Sequence, residues 1–389
     1  MSDVIEFKLN NNDDRLNLDE NLPHKLSFIE SKKIEDSFMY SSLYSLTNTK
    51  LYMKRFLPIM KTEVSKGEKD YEFFELMKNI YDDINNKNEK CNEQTLELIK
   101  KFKDSLGNEI KDPRVLIRYI LVGLLTLREI EIKKELKKTN SDISDFLSGA
   151  QNNAFGSKVN ERLSCNVDLD MSLMRSFDWT DNQQDLDNDE YNIIIKKISN
   201  ENKSEYGVYN YIKLYLSEEK KVYTLEQCLE DYLKGSDDPL LTNVSSPNKI
   251  IFSDIDKKLY YKFPKSIIIF IYYKKNDTDE ENPLNYFYNF SESLNLSKAN
   301  FVDEDIQFKE YFLSSLIVCK FPKIEERKFY YTYCRKNKES NYIIYNSKDK
   351  DIRDIKEKFK FVQNILKKEK IEKENSSKSY PYVLIYTEV

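Results

Sequence analysis

Histidine is almost absent from this 389-residue chain: the single one is His24, in a polar stretch near the start. A hydrolytic mechanism built on a nucleophile and a histidine base therefore has one candidate base, and it lies away from every segment where such a site could be assembled. Cysteine is also sparse. Cys91, Cys165, Cys228, Cys319 and Cys334 are odd in number and contain no C-x-x-C pair, which argues against a disulfide framework and a structural zinc site and suits a reducing compartment. Glycine occurs 7 times and tryptophan once, beside abundant Asn, Lys, Ile and Tyr, a bias that erodes short motifs. No apolar run approaches the roughly 20 residues that span a bilayer, and the N-terminus lacks a basic region followed by an apolar core, so no membrane association is expected. An excess of basic charge is missing too: 62 Lys and Arg face 67 Asp and Glu, a net charge of -5, which excludes the basic footprint of a nucleic-acid binder.

What is present is a globular composition, 40% hydrophobic and 33% charged, enough for one large domain or two ordinary ones in the cytoplasm or nucleus. Residues 1–30 are polar and Asn/Asp-rich and read as an arm. From about Asp36 to Leu57, Phe38, Met39, Leu43 and Leu46 recur at helical spacing behind an Asp/Ser start signal. Residues 70–105 continue as helices. The strongest helical pattern runs from Pro113 to Lys137, with Leu116, Tyr119, Ile120, Gly123, Leu124 and Leu127 on one face.

Beyond Phe155 the texture changes to short β-branched and aromatic runs at 209–216, 266–273, 329–334, 342–345 and 382–386, which predict strands. Polar insertions are expected at 180–206 and 274–285, and a charged helix at about 351–374. A helical lobe followed by a β-rich lobe without internal repeats is an α+β arrangement.

Read in order, these segments resemble the ubiquitin-specific protease family, the papain-like deubiquitinases. The opening helix, Glu35 to Tyr44, resembles the family's N-T-C-Y-M-N-S-x-L-Q box, keeping Met39, Ser41 and Leu43. Asp112 matches the aspartate of Q-Q-D-A-x-E-F, with Ile110 and Lys111 in place of the glutamines, and Phe155–Gly156 resembles the turn into the fingers. The segment 223–229 is similar to S-L-E-D-C-L, and 263–270 to L-P-P-V-L-I-I-H. Residues 329–335 resemble H-Y-Y-A-Y-C-R, 342–347 W-Y-x-F-D-D, and 379–386 the closing A-Y-x-L-F-Y strand. Each match is weak alone; their collinearity from about 31 to 387 carries the resemblance.

The resemblance implies a papain-like fold over 31–389, with a helical thumb at 31–150, fingers and the start of the palm at 151–262, and a palm at 263–389. It also implies degenerate chemistry. The nucleophile position is Ser37, the base position Phe329 and the orienting position Asn346, while the oxyanion-stabilising Asn becomes Lys32 and a nearby Gly becomes Ile34. Serine is a poor nucleophile until a base removes its proton, and phenylalanine cannot do so. Loss of the oxyanion donor alone would cost about 3–4 kcal/mol of transition-state stabilisation. Simpler roles stand beside these: Ser37 or Asp36 as a helix cap, Phe329 as core, Asn346 as a turn residue, Asp112 as the cap of the long helix. Cys165 and Cys228 read as buried hydrophobes, so the fingers are expected to hold no zinc and the protein no cofactor.

The expectation is a catalytically inactive homologue that binds ubiquitin or a ubiquitin-like protein, with Asp112, Phe155, Gly156 and Tyr330 beside the tail channel. The alternative is a structural subunit of a larger spliceosome-, proteasome- or SAGA-like assembly without ubiquitin binding; with only about 30 residues ahead of the fold, no further N-terminal domain is expected. A residual hydrolase recruiting His24 is the third reading.

Overall fold

The computed structural model describes residues 37–47, 111–118, 121, 193–199, 204–209, 211–216, 222–234, 255–273, 286–295, 310–320, 328–335, 337–345, 355–368 and 379–389. Its frame is a seven-stranded sheet. Along one path lie β11 (Ile343–Tyr345), β10 (Phe329–Cys334), β9 (Glu310–Lys320), β13 (Ser379–Glu388), β6 (Ser266–Tyr273) and β3 (Ile212–Leu216), with β8 (Ser293–Asn295) pairing β9 off that path. All pairings in this sheet are antiparallel except β3 with β6. Each run predicted as a strand contributes to the fold: 266–273 is β6, 329–334 is β10, 342–345 contains β11, 382–386 lies within β13, and 209–216 contains β3.

The central strand β9 is absent from the set of predicted strands. Its eleven residues are buried from Tyr311 to Cys319, so both faces are covered and the sequence lacks the alternation that marks a half-exposed strand. Ser314 and Ser315 interrupt the apolar run, yet each hydroxyl is satisfied: Ser314 donates to the Ile385 carbonyl at 3.0 Å, and Ser315 lies 2.6 Å from the Ser45 hydroxyl.

The expected polar insertion at 180–206 is corrected in part. Residues 193–199 form β1 and Ser204–Tyr209 form β2, an antiparallel pair extended by β5 (Ile255–Lys262) into a separate three-stranded sheet, β2-β1-β5. Ile193, Ile194 and Ile195 are buried. Three consecutive β-branched residues strongly favour a strand, and the Asn and Asp residues around them concealed that signal. The other segment, 274–285, lies outside the described residues. A third sheet joins β12 (Lys367–Lys368), β7 (Tyr288–Asn289) and β4 (Tyr223–Thr224).

Among the described residues, α1 (Ser37–Thr47), α2 (Leu225–Lys234) and α3 (Ile355–Leu366) pack around this frame. A reciprocal cap opens α2. The Gln227 amide donates to Thr224 Oγ1 and the Thr224 amide to Gln227 Oε1, both at 3.3 Å. The charged helix expected at 351–374 is corrected in part: α3 ends at Leu366, Lys367–Lys368 pair as β12 with β7, and α3 buries Val362, Ile365 and Leu366. Residues 113–118 and 121 are helical, as the long pattern from Pro113 predicts, and bury Leu116, Ile117 and Leu121.

Tyrosine fills much of the core. Of the 28 in the chain, Tyr260, Tyr273, Tyr286, Tyr288, Tyr333, Tyr342, Tyr380, Tyr382 and Tyr386 are among the largest fully buried side chains. A buried phenol needs a partner for its hydroxyl. Tyr273 donates to the Pro381 carbonyl at 2.6 Å, Tyr260 to Leu229 at 3.1 Å, Tyr342 to Leu313 at 3.2 Å, and Tyr386 to Ser291.

Candidate functional site

Helix α1 and strand β10 lie side by side. The spacing explains why: one helical turn advances about 5.4 Å and two strand residues about 6.6 Å, so residues one turn apart on the helix meet alternate residues of the strand. The contacts follow that rule. The Tyr330 amide donates to Ser37 Oγ at 3.1 Å, Thr332 Oγ1 to the Ser41 carbonyl at 3.1 Å, and Cys334 Sγ to the Tyr44 carbonyl at 3.7 Å. Ser37, Ser41 and Ser45 recur every four residues along α1, and small side chains there let helix and strand approach closely.

Ser37 and the Phe329–Tyr330 peptide thus meet although 293 residues separate Ser37 from Tyr330. The nucleophile and base positions inferred from sequence are neighbours in space. Ser37 opens α1, is 1% exposed, and its hydroxyl accepts a bond from a neighbouring strand. Phe329 is half-buried and its ring stacks on Tyr331 with centroids 6.2 Å apart.

The titratable groups of this seam favour their neutral forms. Burial pushes the Cys334 thiol up to about 12, against a smaller opposing effect from its bond with Ser315. Burial likewise raises the Tyr330 phenol well above its usual range. Neither can act as a base near neutral pH.

Asp112 caps the helical segment it precedes: the Arg114 amide donates to Asp112 Oδ1 at 2.8 Å, and the Leu116 amide to the Asp112 carbonyl at 3.1 Å. Its carboxylate is also held by side chains. Arg114 Nε lies 3.1 Å from both oxygens, Arg114 Nη2 2.6 Å from Oδ2, and the Tyr382 hydroxyl donates to Oδ2 at 3.0 Å. Burial pushes the Asp112 carboxyl up, but the Arg114 charge and the bonds from Arg114 and Tyr382 outweigh it and hold it below the usual carboxylate value. Tyr382 links this cluster to the seam, since its ring lies 5.3 Å from that of Tyr330.

Of the sequence-predicted residues, Ser37 meets the Phe329–Tyr330 peptide and Asp112 reaches Tyr330 through Tyr382, whereas Lys32, Phe155, Gly156, Asn346 and His24 lie outside the described residues. Two residues of this cluster, Arg114 and Tyr382, were not anticipated. Tyr382 stands in a strand-forming run, and Arg114 follows a helix-initiating proline, where an arginine normally reads as solvated. Of the expected buried cysteines, Cys228 is buried in α2 and Cys165 lies outside the described residues. Among the described residues no group of three or more His, Cys, Asp or Glu could hold a metal ion. No described helix is long and apolar enough to cross a membrane.

No protein-family model matches the sequence, and a search of curated proteins finds no match. Solved structures do match. One is the SAGA Ubp8/Sgf11/Sus1/Sgf73 DUB module, at a TM-score of 0.51 and 13% identity, covering 91% of this chain and 66% of the matched one. The yeast SAGA DUB module carrying an Sgf73 mutation matches at a TM-score of 0.50 and 12% identity, over 91% and 67% of the two chains. The same module bound to ubiquitin aldehyde matches at 0.50 and 13%, over 91% and 68%. This chain spans about two thirds of the length of the chains it matches. The likeness gives the fold: a ubiquitin-specific-protease-like α+β architecture at very low sequence identity.

Proposed function

We propose that this chain is a catalytically silent protein of the ubiquitin-specific-protease fold that works as a binding scaffold for ubiquitin or a ubiquitin-like protein. The observation that carries the reading is the seam between α1 and β10. A hydrolase of this fold needs an exposed nucleophile at the helix start and a base on the facing strand. Ser37 is buried with its oxygen accepting the Tyr330 amide, and the base position is Phe329, which has no titratable group.

A second reading, a structural subunit of a larger assembly without ubiquitin binding, is favoured by the matched structures being multi-subunit modules. Titration calorimetry with mono-ubiquitin separates the two: saturable heat supports the scaffold for ubiquitin. Its absence at high concentration, with stoichiometric partners recovered from cells on the tagged chain, supports the structural subunit.

A further inference from the structure

Arg114 is held the way a protein holds a ligand. Its guanidinium carbon lies 4.0 Å from the ring centroid of Tyr272 and 3.9 Å from that of Tyr382. Nη1 donates to the Ile271 carbonyl at 2.7 Å, Nε and Nη2 to the Asp112 carboxylate at 2.6 to 3.1 Å, and Nη2 also bonds the Tyr382 hydroxyl. Each of the three nitrogens has an acceptor, and two aromatic rings contact the planar group. A planar fork, a bidentate carboxylate, a carbonyl and aromatic walls are the elements that recognise guanidinium and would suit an ammonium poorly.

The walls converge from distant parts of the chain. Asp112 precedes the helical segment, Ile271 and Tyr272 lie on β6, and Tyr382 lies on β13, 268 residues from Arg114. Arg114 itself is 4% exposed, while the Asp112 side chain keeps 26% of its surface. The cage is therefore filled, and its carboxylate wall reaches solvent.

We infer that Asp112, Ile271, Tyr272 and Tyr382 form a guanidinium-binding cage that the chain fills with its own Arg114, so that an arginine of a partner enters only when Arg114 is removed or displaced. The inference stands on the cage geometry and does not depend on which partner the scaffold serves. It assigns Asp112 an internal cation in place of an external one.

The test is chemical rescue in the full chain. Arg114→Ala removes two methylenes and the guanidinium, and ethylguanidinium replaces those atoms. Millimolar ethylguanidinium should raise the unfolding midpoint of Arg114→Ala at a concentration about tenfold lower than ethylammonium needs, reflecting the fork geometry. The unaltered chain should show no rise, and the double variant Asp112→Asn/Arg114→Ala should lose the preference. An equal response of Arg114→Ala to the two cations, or none, overturns the cage, as does a matching response of the unaltered chain. If Arg114→Ala does not fold unaided, refolding yield becomes the readout. Recovery with ethylguanidinium but not ethylammonium supports the cage, and recovery with both or neither overturns it.

Discussion

The α1–β10 seam and the Arg114 cage lie one ring contact apart, through Tyr330 and Tyr382, yet they handle polarity in opposite ways. In the seam the polar groups are neutral: a serine hydroxyl, a threonine hydroxyl and a thiol, each engaged with a backbone group. In the cage a buried guanidinium pairs with a partly exposed carboxylate, and the cost of desolvating them is offset by five bonds between the side chains of Asp112, Arg114 and Tyr382. A seam that ran acid–base chemistry would need a group poised near neutral pH, whereas a neutral seam only needs satisfied hydrogen bonds. Among the described residues of this region, charge is kept in the cage, where it joins elements, while the seam is neutral.

Breaking the cage should have the largest effect on stability. Arg114→Ala leaves Asp112 without its cation and opens space between two rings, a loss of about 3–5 kcal/mol expected in urea unfolding. Arg114 and Asp112 also tie stability to acid. Because the folded carboxyl titrates below the usual value, the stabilisation is fully present above about pH 4 and is lost as the pH falls through the folded-state value. Unfolding midpoints measured from neutral to acid pH should show this loss in the unaltered chain and much less of it in Asp112→Asn.

Within the sheet, Tyr273→Phe removes the bond to the Pro381 carbonyl, at about 1.5 kcal/mol. In the seam, Thr332→Val removes one neutral bond to Ser41 and should cost about 1 kcal/mol. If Thr332→Val proved as damaging as Arg114→Ala, the division between a neutral seam and a charged cage would fail. The smallest effect is chemical. Cys334, buried with its thiol pushed up to about 12, should react with a thiol reagent in the native protein only as fast as the protein opens, and freely once it is unfolded.

The sequence made the strand runs legible where β-branched and aromatic residues cluster, as in β6, β10 and β13. It concealed β9, whose apolar run is broken by Ser314 and Ser315. It concealed β1 and β2 behind polar neighbours. Of the site, Ser37 and Phe329 could be paired only through the resemblance, since no local pattern reports a contact between residues 37 and 330. Arg114 shows the limit most clearly. An arginine after Pro113 looks solvated until β6 and β13 are folded against it, and its partners Ile271, Tyr272 and Tyr382 are fixed by tertiary packing alone.

We propose that this fold has been kept without its hydrolytic chemistry. Incubating the full chain with ubiquitin-chain substrates and an electrophilic ubiquitin probe, followed by intact-mass analysis, tests it most directly. No cleavage and no adduct on Ser37 are the expected results; robust turnover, or a covalent ubiquitin adduct at that residue, would overturn the proposal.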